Sequence, residues 1–75
     1  MSFKGVSMNR VSAERKLKGL TQEQLAQNLA VDRTTIVRWE TGESIPDKKL
    51  VAMRDVFGCD IDWLLGLSDE RRTVS

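Results

Sequence analysis

One unbroken run, QEQLAQNLAVDRTTIVRWETG from Gln22 to Gly42, constrains the fold of this chain more than any other. Its apolar residues fall at Leu25, Ala26, Leu29, Val31, Ile36 and Trp39. That spacing reads as two short helical periods joined by a turn too tight for a third element. Two helices joined so closely cross steeply. Ala26 stands where they approach most, a position that a small side chain fits. Leu25, Leu29, Val31, Ile36 and Trp39 fill the wedge between them as core.

The rest of the chain narrows the choice. Seventy-five residues make one domain, 1–75, with an expected core over about 7–67 and a polar tail, 68–75, expected to fray. A chain this short buries only about 60% of its unfolded surface, so it depends on good packing or a partner. No apolar stretch is long enough to span a bilayer. The N-terminal MSFKGVSMNR has no apolar leader core, so the expected compartment is cytoplasmic. The single cysteine, Cys59, cannot form an internal disulfide or, alone, an ordinary zinc site, and is expected as a small buried apolar residue. There is no histidine, which removes the usual general base, the commonest metal ligand and most triad chemistry. No enzymatic activity, metal, cofactor or small-molecule ligand is expected.

No sustained period-two alternation marks a strand. Five short helices are predicted, an all-α architecture. The first covers about Ser7 to Lys18, with Met8, Val11, Arg15 and Leu17 toward the inside, and Gly19 stops it. Thr21 and Gln24 form a T-x-x-Q capping box for the second, which ends near Leu29. Asp32 is the expected N-cap of the third, Arg33 to about Thr41, closed by Gly42. The fourth follows Pro46, carries Asp47 in its first turn, and runs to about Phe57 with Leu50, Val51, Met53, Val56 and Phe57 inside. Gly58 ends it. Asp60 caps a fifth, Ile61 to Leu65, with Trp63 read as a core residue.

The second and third helices together form a helix-turn-helix, a motif that can set its second helix in the DNA major groove. Net charge is only +1, but residues 1–49 hold nine Lys/Arg against six Asp/Glu, and residues 50–75 three against five. The positive half contains the motif. Screened charges act locally, so a basic face suffices for phosphate on a nearly neutral protein.

The residues LTQEQLAQNLAVDRTTIVRWETG (Leu20–Gly42), IPDKKLVAMRDVFGCDIDWLLG (Ile45–Gly66) and Arg15 resemble the lambdoid phage repressor and Cro group, the Xre helix-turn-helix family. The resemblance covers about residues 8–67. It implies a five-helix lambda-repressor-like domain that binds a double-stranded operator. It also implies that Arg15 pairs with Glu40 as a partly buried structural ion pair, and that Gln22 contacts phosphate. Relatives commonly place Gly where Ala30 stands, because the turn there takes positive φ; an alanine costs on the order of 1 kcal/mol of strain. Similar repressors pair as two-fold dimers through the C-terminal region, which assigns Ile61, Leu65 and Leu67 to a homodimer interface. Glu43 lies in a loop that is often basic in relatives, which implies fewer phosphate contacts here.

The outer face of the third helix carries the candidate reading surface: Arg33, Thr34, Val37, Arg38 and Thr41 recur at helical spacing, away from Ile36, Trp39 and Glu40. Arg33 and Arg38 can present paired donors to the O6/N7 edge of guanine, Thr34 can bond a base or phosphate, and Val37 suits a thymine methyl. Thr41 and Lys48 join Gln22 as phosphate contacts, with Arg10, Lys16 and Lys18 adding long-range attraction. The function expected is sequence-specific regulation of transcription, of the phage or prophage repressor type. The alternative is an adaptor that keeps the fold but binds proteins, favoured by the near-neutral charge and by Glu43.

Overall fold

A computed structural model describes residues 9–73 of the chain. Five helices follow one another: α1 (Val11–Leu17), α2 (Gln22–Leu29), α3 (Arg33–Glu40), α4 (Asp47–Phe57) and α5 (Ile61–Leu64). Among the described residues there is no strand, only an isolated antiparallel bridge between Cys59 and Thr73. The core is one cluster drawn from every helix: Val11, Leu25, Ala26, Leu29, Ile36, Trp39, Leu50, Met53, Phe57, Cys59 and Leu64. α2 and α3 share the broadest contact, with α4 closing beneath α2 and α5 against α4.

Local chemistry sets the ends of these helices. Thr21 Oγ1 accepts from the Gln24 N–H at 3.0 Å, and Gln24 Oε1 accepts from the Thr21 N–H at 2.9 Å, a complete capping box. α2 ends on Ala30, held at φ 57° and ψ 45°, the only described non-glycine residue at positive φ. The Val31 N–H reaches back to the Ala26 carbonyl at 2.9 Å and the Ala30 N–H to Gln27 at 3.2 Å, the two bonds of a Schellman turn. The chain thus adopts the left-handed turn and carries the alanine's strain. Gly58, at φ 71°, makes the same stop after α4 without a Cβ. Asp60 accepts from the Trp63 N–H at 2.9 Å to cap α5.

Several sequence expectations need correction. α1 begins at Val11 among the described residues, after Arg10 at its N-cap. The expected start at Ser7, and Met8, lie outside them. Leu17 points outward, 70% exposed, and Val51 is exposed on α4. Val51 sits next to the core residue Leu50, and Leu17 lies one turn after buried Glu14, so the period alone misjudged the width of the buried stripe. Asp32 stands at the N-cap of α3 but its side chain makes no capping bond. The first turn is instead closed by the Asp32 carbonyl, which accepts from the Thr35 and Ile36 N–H groups. α3 ends at Glu40 and α5 at Leu64, one residue shorter each than expected.

The largest correction concerns the tail. Residues 68–73, expected to fray, pack back onto the fold. The Asp60 N–H donates to the Arg72 carbonyl at 3.1 Å. Arg71 grips Glu14 with two bonds, Nε to Oε2 at 2.8 Å and Nη2 to Oε1 at 2.9 Å, and also reaches the Phe57 carbonyl. Glu14 is only 3% exposed and also accepts from the Trp63 indole N–H at 2.9 Å. Two cationic donors and an indole donor satisfy a carboxylate that would otherwise be costly to bury. Val74 and Ser75 lie outside the described residues.

Candidate nucleic-acid interface

α3 is fixed from within. Ile36 is fully buried and Trp39 nearly so, which turns the opposite side of the helix outward. The Trp39 carbonyl accepts from Asn9 Nδ2 at 2.6 Å, and Asn9 Oδ1 in turn accepts from the Val11 N–H at 3.2 Å, so one side chain joins the start of α1 to the end of α3. Thr41 Oγ1 donates to the Arg38 carbonyl at 2.9 Å and tightens the last turn.

On the outer side Arg33, Thr34 and Arg38 are exposed, Val37 is half-buried at the seam, and Thr41 is exposed just beyond the helix. Among the described residues neither the Arg33 nor the Arg38 guanidinium is engaged in a salt bridge or side-chain hydrogen bond. Both keep their forked donors for an external acceptor, at the cost only of leaving water. The row therefore has the chemistry for a base edge: two planar cations, one hydroxyl, one methyl-bearing surface.

The ends of three helices meet below this row at Glu40. Arg15 Nε donates to Glu40 Oε2 at 2.7 Å, with side chains 11% and 8% exposed. Arg15 Nη1 also donates to the Leu20 carbonyl at 2.8 Å. Gln22 Nε2 donates to Glu40 Oε1 at 3.0 Å, so this half-buried amide is tied to the ion pair. Lys48 is exposed in the first turn of α4. Its neighbour Lys49 points the other way and donates to the Leu29 carbonyl at 2.6 Å, satisfying an orphan carbonyl at the end of α2.

Ile61 and Leu65 are half-buried and packed against the core, while Leu67 is 74% exposed. Arg10, expected as a long-range attractor, is instead immobilised: its guanidinium lies 3.7 Å from the centroid of Trp63 and donates to the carbonyls of Trp63 and Ser68. Lys16 and Lys18 are exposed on α1, and Glu43 is exposed in the loop after α3. Cys59 is fully buried, and burial raises its thiol above the ordinary range. Sequence reasoning missed Asn9, Glu14, Lys49 and Arg71, each of which has a partner 20 or more residues away. A polar residue at a buried helix position, such as Glu14 three after Val11, was the one local signal available. No group of three or more His, Cys, Asp or Glu among the described residues is placed to hold a metal, and no described helix is long and apolar enough to cross a membrane.

Comparison with known proteins agrees with this geometry. The helix-turn-helix family profile matches residues 11–64, which spans all five helices. Over 49 residues the chain is 47% identical to the HTH-type transcriptional activator BcrR of Enterococcus faecalis. That match takes in 64% of this chain but 24% of the relative, so the chain spans about a quarter of that protein's length. With the capped α2, the left-handed turn and the clamped α3 all within the matched segment, the chain belongs to the Xre-type helix-turn-helix family.

Proposed function

We propose that this domain is a sequence-specific DNA-binding regulator of transcription. It reads a pseudo-palindromic operator as a homodimer, with α3 in the major groove of each half-site. The observation that carries the reading is the outward row of exposed Arg33, Thr34 and Arg38, half-buried Val37 and, just past the helix, exposed Thr41, displayed opposite a face locked by Ile36 and Trp39. Arg33 and Arg38 read guanine edges, Thr34 a base or its phosphate, and Val37 a thymine methyl. Gln22, Thr41 and Lys48 set the docking register on phosphates. Ile61, Leu65 and Leu67 form the dimer contact, which spaces the half-sites about one helical turn, roughly 34 Å, apart.

The relative is named an activator, whereas the resemblance to phage and prophage repressors favours repression. The same reading surface serves either outcome. A site overlapping a promoter occludes it, and a site beside one offers a platform for polymerase. Repression by occlusion asks least of a domain this small.

The test is selection of bound sequences from a random duplex library. The expected result is an enriched, two-fold symmetric site containing a guanine in each half. Enrichment of no sequence, together with partner capture that is insensitive to salt, would favour a protein-binding adaptor instead, the role to which exposed Glu43 is suited.

A further inference from the structure

We infer that Glu40 is a positioning residue for DNA backbone contact, acting through the Gln22 amide; the role rests on the DNA-binding reading above. The Glu40 carboxylate divides its two oxygens between helices. Oε2 takes Arg15 of α1, and Oε1 takes Gln22, the first residue of α2. A carboxylate accepts and cannot donate, so only the NH2 side of the amide can face it. That fixes the Gln22 rotamer and its flip together. One N–H is held by Glu40, and the other N–H, on the same nitrogen, remains for a phosphate oxygen.

The backbone beside it is also poised. In the first turn of α2 the Gln24 N–H is taken by Thr21 Oγ1 and the Leu25 N–H by the Thr21 carbonyl, and no intramolecular acceptor is described for the Gln22 or Glu23 N–H. Glu40 thus joins the base-reading helix to the phosphate-contacting end of α2. It is the last residue of α3, so a shift of α3 carries the amide with it. Pre-setting the rotamer removes the ordering cost that a free glutamine meets on binding.

The test uses the selected operator carrying single neutral methylphosphonates, scanned along each half-site. In the wild-type protein the sensitive phosphates of each half-site should include one that answers to Gln22, with a loss there of about tenfold, the size of one charge-assisted hydrogen bond. In Gln22→Ala that replacement should cost clearly less, leaving only the share carried by the backbone N–H groups. Removing Glu40 alone strands the Arg15 charge and risks unfolding, so the decisive variant is the double R15M/E40L, which swaps the buried pair for apolar groups of similar volume. It should keep the guanine preferences set by Arg33 and Arg38 yet lose most of the coupling to that phosphate. In the free protein, NMR should show one slowly exchanging Gln22 side-chain proton, absent from R15M/E40L. Undiminished phosphate coupling in R15M/E40L overturns the positioning role while leaving the DNA reading intact. Enrichment of no duplex overturns both, and the NMR signal then reports a purely structural bond.

Discussion

Glu40 and Glu14 are both carboxylates buried against an arginine, yet their other partners separate them. Glu40 shares itself with Gln22 and stands under the exposed row of α3. Glu14 shares itself with the Trp63 indole and holds a segment 57 residues away in sequence. The first ties together helix ends within the helix-turn-helix. The second ties the tail and α5 to α1. In a fold that buries so little surface, apolar packing leaves such ends underdetermined, and a charged clasp with one satisfied geometry selects a single arrangement. Both clasps bear on integrity, and on the proposed DNA-binding reading the first bears on function as well.

The largest expected effects come from breaking each clasp on its arginine side. Arg15→Ala should cost about 3–5 kcal/mol in denaturant unfolding, because a nearly buried carboxylate is left facing a cavity. Arg71→Ala should cost less, about 2–3 kcal/mol, since its side chain is 28% exposed and water can take its place. Equal losses would show that exposure does not distinguish the two. Next in size, Arg33→Ala and Arg38→Ala should each weaken operator binding by about 1–3 kcal/mol if that arginine reads a guanine, with relaxed preference at its base. Both should leave the unfolding midpoint unchanged, in contrast to the clasp variants. Mobility shift on the selected duplex and a melt of the same samples check the pair; no binding loss in either variant sinks the reading surface.

Acid sharpens the comparison further. The Arg71 hydrogen bonds, opposed by burial and helped by the Trp63 indole, hold the Glu14 carboxyl below its ordinary 4.5. A carboxyl lowered in the folded state contributes stability that is full above 4.5 and is lost as pH falls through the folded value beneath it. Glu14→Gln should therefore be less stable than wild type near neutrality, with the gap closing in the acid limb. Parallel melts from pH 7 to pH 2 check this; a gap that stays constant would remove the clasp from acid unfolding. The smallest effect is at the turn. Ala30→Gly relieves the left-handed strain of about 1 kcal/mol, and the looser unfolded chain takes part of it back, so a gain of at most about 1 kcal/mol is expected in the same melts.

What was legible in the sequence follows from range. The α2 capping box, the wedge of Leu25, Ile36 and Trp39, and the outward row of α3 are encoded within a few residues of each other, where period and capping chemistry operate. The strained turn was readable too, through the resemblance, because Ala30 stands where relatives commonly place glycine. Leu17 and Val51 were misplaced because spacing tells which residues share a stripe but not where the neighbouring element ends. The Glu14–Arg71 clasp and the Arg10 stack were invisible for a different reason. They depend on which polar groups meet after the helices have packed, and no local pattern reports that. The polar tail therefore looked solvated when its arginine is half inside.

Arg10 has a mechanical consequence. Its backbone N–H donates to the Leu64 carbonyl at 2.7 Å and its side chain to Ser68, so the start of α1 and the departure from α5 share one corner. In a longer polypeptide the unit would hang from that corner like a pendant. Tension along the chain would meet the Asn9–Trp39 bond at one end and the Asp60–Arg72 bond and Arg71–Glu14 clasp at the other before it reached the Arg10–Trp63–Ser68 corner.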